Sequence, residues 1–380
     1  MKIVADEHIP FVREAFGSLG EVVLAEGRKL TRETVRDADA LLVRSVTKVN
    51  ADLLKDSKVR FVGTATIGTE HVDLPYLVEH GIGFAAAPGS NATSVAEYVT
   101  AALLVLARRG KYKLQGKSIG IVGVGNVGSR VAKKAEALGM KVFLNDPPLA
   151  RQTGDPKYLP IEKIMKCDIV TIHVPLTMEP PDATYHMVNE EFVASMKRGS
   201  VLINTCRGKV AEGRALKRAL DGDQLSEVVL DVWESEPNPD PSLIERSAIA
   251  TPHVAGYGYD GKVRGAEMIY QALCAFFGIR PAWNAAEAMP APPYPVLELK
   301  AGRQGEDVIR EAVLTVYDIE ADDARMRKIV NLPEDERGKY FDYLRKTYPV
   351  RREFHNSHVI LKGRGDKLAT KLKGLGFVVG

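Results

Sequence analysis

The chain has 380 residues, 45% of them hydrophobic, and a formal net charge of only +3. Such a length exceeds one ordinary core and predicts two or three domains. The apolar share excludes a disordered chain, and the near-neutral balance excludes generic nucleic-acid binding.

The N-terminus, Met1 to Glu7, reaches acids before a signal-peptide core can form. The first ninety or so residues then alternate short apolar runs with amphipathic ones. Lys2–Ala5, Val22–Ala25, Ala40–Arg44, Phe61–Thr64 and Gly83–Ala86 read as buried strands, and Thr31–Ala38 and Leu74–His80 have helical spacing. Strand–helix alternation implies a doubly wound parallel sheet. A long helix, Thr93 to Arg109, leads into a second such unit. Its most apolar part, Val99–Ala107, is about half the length of a membrane span.

In that second unit Ser118–Val122 is a strand, Asn126–Leu138 a helix and Lys141–Asn145 a strand. Further strands are predicted at Ile169–His173, Val201–Asn204, Val228–Asp231 and Ile249–Ala250. A helix from Gly258 to Phe277 has the character of one that packs back on the first unit. Pro281 to Pro295 then holds five prolines in fifteen residues, the mark of a stiff linker. Beyond it, strands at Val296–Leu299, Val359–Leu361 and Phe377–Val379 and helices including Asp366–Leu375 suggest a small α+β domain. The expected fold is therefore α/β, with two doubly wound (Rossmann/flavodoxin-like) domains and a C-terminal α+β domain. Expected boundaries are 1–92 with 257–280, 93–256, a linker at 281–295, and 296–380. The tail is basic: Arg351, Arg352, Lys362, Arg364, Lys367, Lys371 and Lys373 face only Glu353 and Asp366, which reads as a solvated helix face.

Chemistry concentrates in the second unit. Gly123-Val124-Gly125-Asn126-Val127-Gly128 lies between a strand and a helix, and Asp146 ends the next strand. In such a turn Gly123 permits the tight bend, Gly125 admits a pyrophosphate to the backbone, and Gly128 lets helix and strand pack closely. The helix N-terminus favours phosphate. A carboxylate at Asp146 accepts hydrogen bonds from ribose hydroxyls and repels a 2′-phosphate, so NAD is expected rather than NADP. Arg207 follows the strand ending at Asn204 and offers a guanidinium fork for a carboxylate. His253 follows another strand, and Glu236 or Glu234 is placed to hold its second ring nitrogen. That is the arrangement of general acid–base chemistry, with the carboxylate favouring imidazolium. Spacing does not choose between the two acids. Cys167, Cys206 and Cys274 are too few and scattered for a disulfide scaffold or a metal site, and His355 and His358 have no third ligand type nearby. No metal is expected, and a cytoplasmic setting is.

Over roughly residues 1–280 the chain resembles the D-2-hydroxyacid dehydrogenases. The resemblance rests on Gly120–Asp146, His173-Val174-Pro175-Leu176-Thr177, Asn204–Gly208, Leu230–Pro237 and Ala250–Gly256. It implies a Glu five residues beyond Asp231, which selects Glu236, and catalytic roles for Arg207, Glu236 and His253. Leu42–Thr47, Thr64–Asp73, His253–Arg264 and Tyr348–Glu353 are most similar to the branch of the family that serves vitamin B6 synthesis. That branch implies a phosphorylated 2-hydroxy acid as substrate and homodimerisation through the C-terminal domain. By carry-over Ser45, Thr66 and Tyr257 contact substrate together with Arg207; Arg44, at the end of a first-domain strand, offers a fork for the substrate phosphate, with Arg351 and Arg352 as second candidates. Asn126, Val127, Asp146, Thr205, Cys206, Arg207, Asp231 and Gly256 line the cofactor. Val174 stands where close relatives often carry Thr. The rival readings are a phosphoglycerate- or D-lactate-type dehydrogenase and a non-catalytic NAD-sensing protein of the same fold. Nucleic-acid and membrane partners are not expected.

Overall fold

The computed structural model describes residues 1–285, 289–302, 305–363 and 365–380, so Arg364 of the basic tail lies outside the described residues. The chain forms two compact units, Met1–Asn91 with Gly258–Ala291 and Ala92–Tyr257 with Pro292–Gly380. Among the described residues no helix is long and apolar enough to cross a membrane.

The first unit is a five-stranded parallel sheet, β1 (Lys2–Asp6), β2 (Glu21–Ala25), β3 (Ala40–Val43), β4 (Phe61–Thr64) and β5 (Gly83–Ala85), in the order β2-β1-β3-β4-β5. The chain reverses direction across the sheet between β1 and β3, the place where a doubly wound sheet opens its ligand crevice. Both faces are covered, which explains the continuous apolar strands. Ile3, Ala5, Leu42 and Phe61 pack under Ala266, Ile269, Tyr270 and Leu273 of the Tyr259–Phe277 helix. The alternate residues Val4, Leu41, Val43 and Val62 meet Val35, Leu53, Leu54 and Leu77 on the other side.

In the second unit six parallel strands, β6 (Ser118–Val122), β7 (Lys141–Asn145), β8 (Ile169–Ile172), β9 (Ser200–Asn204), β10 (Leu225–Leu230) and β11 (Ile249–Ala250), run in the order β11-β10-β9-β8-β6-β7. The crossing between β6 and β8 is its switch point. C-terminal residues form a three-stranded parallel sheet, β12 (Val296–Lys300), β13 (His358–Lys362) and β14 (Val378–Val379), in sequence order.

This C-terminal region shares a core with the six-stranded sheet. The Ala92–Arg109 helix is buried from Ser94 through Ala107 on every side, as an all-round apolar helix must be. Val308, Ile309, Val313, Phe354, Leu368 and Leu372 of the tail join it and the Asn126–Leu138 helix in one apolar cluster. Each such side chain contributes about 1.5–3 kcal/mol on burial. Polar ties accompany the apolar ones: Ser94 Oγ donates to Glu353 Oε1 at 2.7 Å, the Phe354 amide donates to Glu97 Oε1 at 2.9 Å, and Lys134 stands 3.9 Å from Glu97. Burial pushes the Glu97 carboxyl up to about 8, against the opposing pull of Lys134.

Two expectations change here. Arg351 and Arg352 are not part of a solvated helix face; each is only 6% exposed. Arg351 Nη2 donates to Ala255 O at 2.5 Å and Ser94 O at 3.3 Å, and its guanidinium lies 4.1 Å from the Tyr317 ring centre. The helix expected over Thr31–Ala38 shrinks to Arg32–Val35, capped by Thr31, because Ala38 already turns toward β3.

Candidate active site

Strand register brings the candidate residues of the second unit to one edge. Ala250, Leu230, Asn204, Ile172, Val122 and Asn145 are successive partners across the sheet. Parallel strands lie about 4.8 Å apart, so the segments that follow these residues stand in a row. In that row come His253, the Asp231–Glu236 loop, Thr205–Arg207, His173–Val174, the glycine turn and Asp146.

The three glycines of the turn answer to three different constraints. Gly123 has φ +85°, and a Cβ there would sit 2.7 Å from His173 O and 3.0 Å from Val174 Cγ1. At Gly128 a Cβ would come within 2.0 Å of Gly123 O, closing helix against strand. A Cβ on Gly125 would meet nothing within 4 Å, so that backbone faces open space. The Asn126–Leu138 helix starts at Gly125 with no side-chain cap, which leaves its first N–H groups and dipole to an anion. These features fit a dinucleotide. Asp146 does a further job that its position in the sequence did not reveal. Its Oδ2 accepts from the Val124 amide at 2.8 Å and its Oδ1 from the Leu149 amide at 3.0 Å, tying the turn to the start of the next helix.

Around His253 the geometry depends on long-range partners. His253 Nδ1 and Glu236 Oε2 are 2.8 Å apart, and Glu236 Oε1 accepts from the Trp233 amide at 2.9 Å. The imidazole and the carboxylate keep 32% and 24% exposure, so the pair is accessible. Burial works against the Glu236 charge, but His253 and the Trp233 amide outweigh it and hold the carboxyl below its ordinary value. Glu234 is committed elsewhere, to His186 Nε2 at 2.7 Å and the Gly213 amide at 3.1 Å. His253 has φ +58°, a left-handed conformation uncommon for a side-chain-bearing residue. Asp231 holds it there. Its buried carboxylate accepts from Thr251 Oγ1, the Val254 amide and the Ala255 amide at 2.6, 2.8 and 2.9 Å, and its carbonyl accepts from the His253 amide at 2.7 Å. The Tyr98 hydroxyl and Thr251 Oγ1 are 2.7 Å apart, and Trp233 Nε1 donates to Thr251 O at 2.9 Å. Asp231, expected along the cofactor, is thus the internal frame of the catalytic loop.

Arg207 begins the turn after β9, with Nη1 donating to Cys206 O at 2.9 Å. Gly208 packs against the next loop so closely that a Cβ would lie 1.9 Å from Trp233 O, which couples the Arg207 and Glu236 loops. Cys206 is buried, and burial pushes its thiol up to about 11, the behaviour of a packing residue. Burial likewise pushes His173 down to about 3, leaving a neutral ring within hydrogen-bond reach of Thr171 and Thr205. Tyr257 and Gly256 close the His253 loop, with the Tyr257 amide donating to Val254 O at 2.9 Å.

In the first unit Arg44 and Ser45 follow β3 in a turn closed by the Thr47 amide on Arg44 O at 3.2 Å. Thr66 follows β4; its hydroxyl lies 2.7 Å from Thr64 Oγ1, and Thr64 Oγ1 lies 3.0 Å from His71 Nε2. Sequence reasoning missed Thr251, Trp233 and Tyr98, whose signals are ordinary apolar and β-branched residues. It also missed Arg345, on the helix Glu334–Lys346, whose guanidinium lies 5.6 Å from the Tyr257 ring centre.

Residues 97–255 match the family described as D-isomer specific 2-hydroxyacid dehydrogenase, NAD binding domain, and residues 288–376 match a domain of unknown function. The chain is 44% identical over 380 residues to an erythronate-4-phosphate dehydrogenase of Marinobacter nauticus, covering 99% of each protein. It is 47% identical over 372 residues to one of Salinibacter ruber, covering 94% of each. Among solved structures it is similar to the TT0316 protein of Thermus thermophilus, with a TM-score of 0.63, 29% identity, and coverage of 74% of this chain and 98% of that one. It is also similar to a D-lactate dehydrogenase of Aquifex aeolicus complexed with NAD and lactic acid, with a TM-score of 0.60, 28% identity, and coverage of 73% and 96%.

Proposed function

The chain belongs to the D-isomer-specific 2-hydroxyacid dehydrogenases, and within them to the erythronate-4-phosphate dehydrogenases; on that premise we propose that it oxidises 4-phospho-D-erythronate to 2-oxo-3-hydroxy-4-phosphobutanoate, with NAD as cofactor, in vitamin B6 biosynthesis. The observation that carries the reading is the Glu236–His253 pair, 2.8 Å apart, on the strand edge that also bears the glycine turn and Arg207.

Glu236 takes His253 Nδ1–H, which fixes the tautomer and leaves Nε2 as the base for the C2 hydroxyl proton. NAD, when bound, supplies the acceptor for the C2 hydride. As the O–H proton passes to His253 and the hydride departs, the C2–O bond becomes a carbonyl. Arg207 binds the substrate carboxylate and so selects which hydrogen on C2 is presented. Gly123, Gly125, Asn126, Val127 and Gly128 receive the pyrophosphate, with Asp146 at the ribose. Val174, Thr205, Cys206 and Gly256 are assigned to the remaining cofactor surface, with Asp231 behind it as the frame of the His253 loop, and Arg44, Ser45, Thr66 and Tyr257 to the substrate. Homodimerisation through residues 296–380 and a cytoplasmic setting belong to the same reading. The open face of the small sheet, where Val296, Ile360 and Val378 are exposed, supports a second copy there.

The test is turnover with NAD on a panel of 4-phospho-D-erythronate, 3-phosphoglycerate, D-lactate and D-erythronate. A kcat/KM highest for 4-phospho-D-erythronate is expected. Preference for another acid would move the protein to a different branch, and NAD binding with no turnover of any would make it a sensor.

A further inference from the structure

One further cation, Arg345, acts on the catalytic pair through Glu236. Arg345 lies in the last turn of the Glu334–Lys346 helix, far along the chain from every motif of the site. Its guanidinium is flanked by the Tyr257 ring at 5.6 Å and the Phe341 ring at 5.9 Å from their centres. Its Nε is buried and has no hydrogen-bond partner. Burial opposes its charge, but Tyr257 and Glu236 outweigh burial and hold it protonated; Arg345 in turn helps hold Glu236 ionised. Arg325 pairs with Asp322 and Arg327 with Asp323; Arg351 also keeps a buried Nη1 without a partner, but its Nη2 is committed to the Ala255 and Ser94 carbonyls. A buried guanidinium with an unmet donor is costly unless an anion completes it.

Which anion follows from the substrate class, so the inference rests on the reading in the preceding section. Arg207 answers the carboxylate, and the phosphate group is a dianion that needs a guanidinium of its own near the reacting carbon. We propose that Arg345, supplied by the C-terminal region, is a substrate-binding residue that receives the phosphate of the hydroxy acid beside Tyr257. The C-terminal region would then be part of the active site and a determinant of specificity. Dehydrogenases of this fold that lack such a region would have no counterpart to this cation.

Arg345→Ala and Arg345→Lys are compared with wild type on 4-phospho-D-erythronate and on D-erythronate, after checking that melting temperature and NAD affinity are retained. The alanine variant should raise KM for the phosphorylated acid at least about tenfold, the weight of one charged hydrogen bond, and change kcat/KM for D-erythronate less than about twofold. Lysine should restore part of the loss. Equal losses on both acids, with a displaced pH profile of kcat, would make Arg345 a positioning residue for Glu236 and overturn the proposal. Inorganic phosphate gives an independent arm. Its binding to the NAD complex, measured by calorimetry, should weaken at least about tenfold in Arg345→Ala by the same arithmetic. Unchanged phosphate binding and unchanged KM would sink this inference while leaving the dehydrogenase reading intact. Arg345-dependent phosphate binding in a wild type that oxidises no member of the panel would do the reverse.

Discussion

The Gly123–Gly128 turn and the Thr251–Gly256 loop belong to the same strand edge but are built in different ways. The turn is specified almost within itself: three glycines satisfy three local clashes or openings, and one carboxylate, Asp146, ties it to the next strand. The loop takes its shape from Asp231, Trp233, Glu236 and Tyr98, and from Arg351 of the tail through Ala255 O. A phosphate cradle needs only backbone N–H groups and room. A proton-transferring imidazole needs a fixed tautomer and direction, which only neighbours on other elements can impose.

Removing the tail should have the largest effect. A chain ending near Ala282 loses Val308, Ile309, Phe354, Leu368 and Leu372 from the shared core and the Arg351 contact to the loop. It should aggregate or show a non-cooperative melt by circular dichroism and sedimentation. A folded fragment that still turns over substrate would mean the loop does not depend on the tail.

Next in size is His253→Ala. It should lower kcat by about 10²–10⁴, the range for a positioned acid–base group, while calorimetry finds NAD binding unchanged because the turn is built separately. Near-normal turnover in the variant would remove His253 from the mechanism.

A matched pair sharpens the contrast further. Asp231→Asn disturbs acceptors of two buried amides and a hydroxyl and should cost about 1–3 kcal/mol in denaturant unfolding, with a fall in kcat. Asp146→Ser should leave kcat nearly alone, weaken NAD and narrow its advantage over NADP, since the repelling carboxylate is gone. Equal use of both cofactors by wild type would refute that account of selectivity.

The smallest effect concerns Glu97, which accepts from the tail. Its carboxyl is raised by burial from 4.5 to about 8, so the folded state binds that proton more tightly than the unfolded one. The sign follows: the associated stability is present below about 4.5, the unfolded value, and is lost as pH rises toward 8. Glu97→Gln should flatten the decline of melting temperature across that interval. A parallel decline in both proteins would place the pH dependence elsewhere.

Strand–helix alternation, the bounds of the Ser118–Val122 strand and Asn126–Leu138 helix, and the glycine turn were all legible in the sequence, because periodicity and glycine constraints act over a few residues. Arg207 and His253 were legible as strand-end residues, and resemblance added the choice of Glu236. Four things were decided only by tertiary structure: Glu234 pairing with His186, Asp231 turning inward to frame the loop, Arg351 and Arg352 becoming buried, and Arg345 reaching Tyr257. Each depends on side chains brought together from distant segments. A charge in the sequence carries no mark of whether packing will leave it to solvent or enclose it beside a partner.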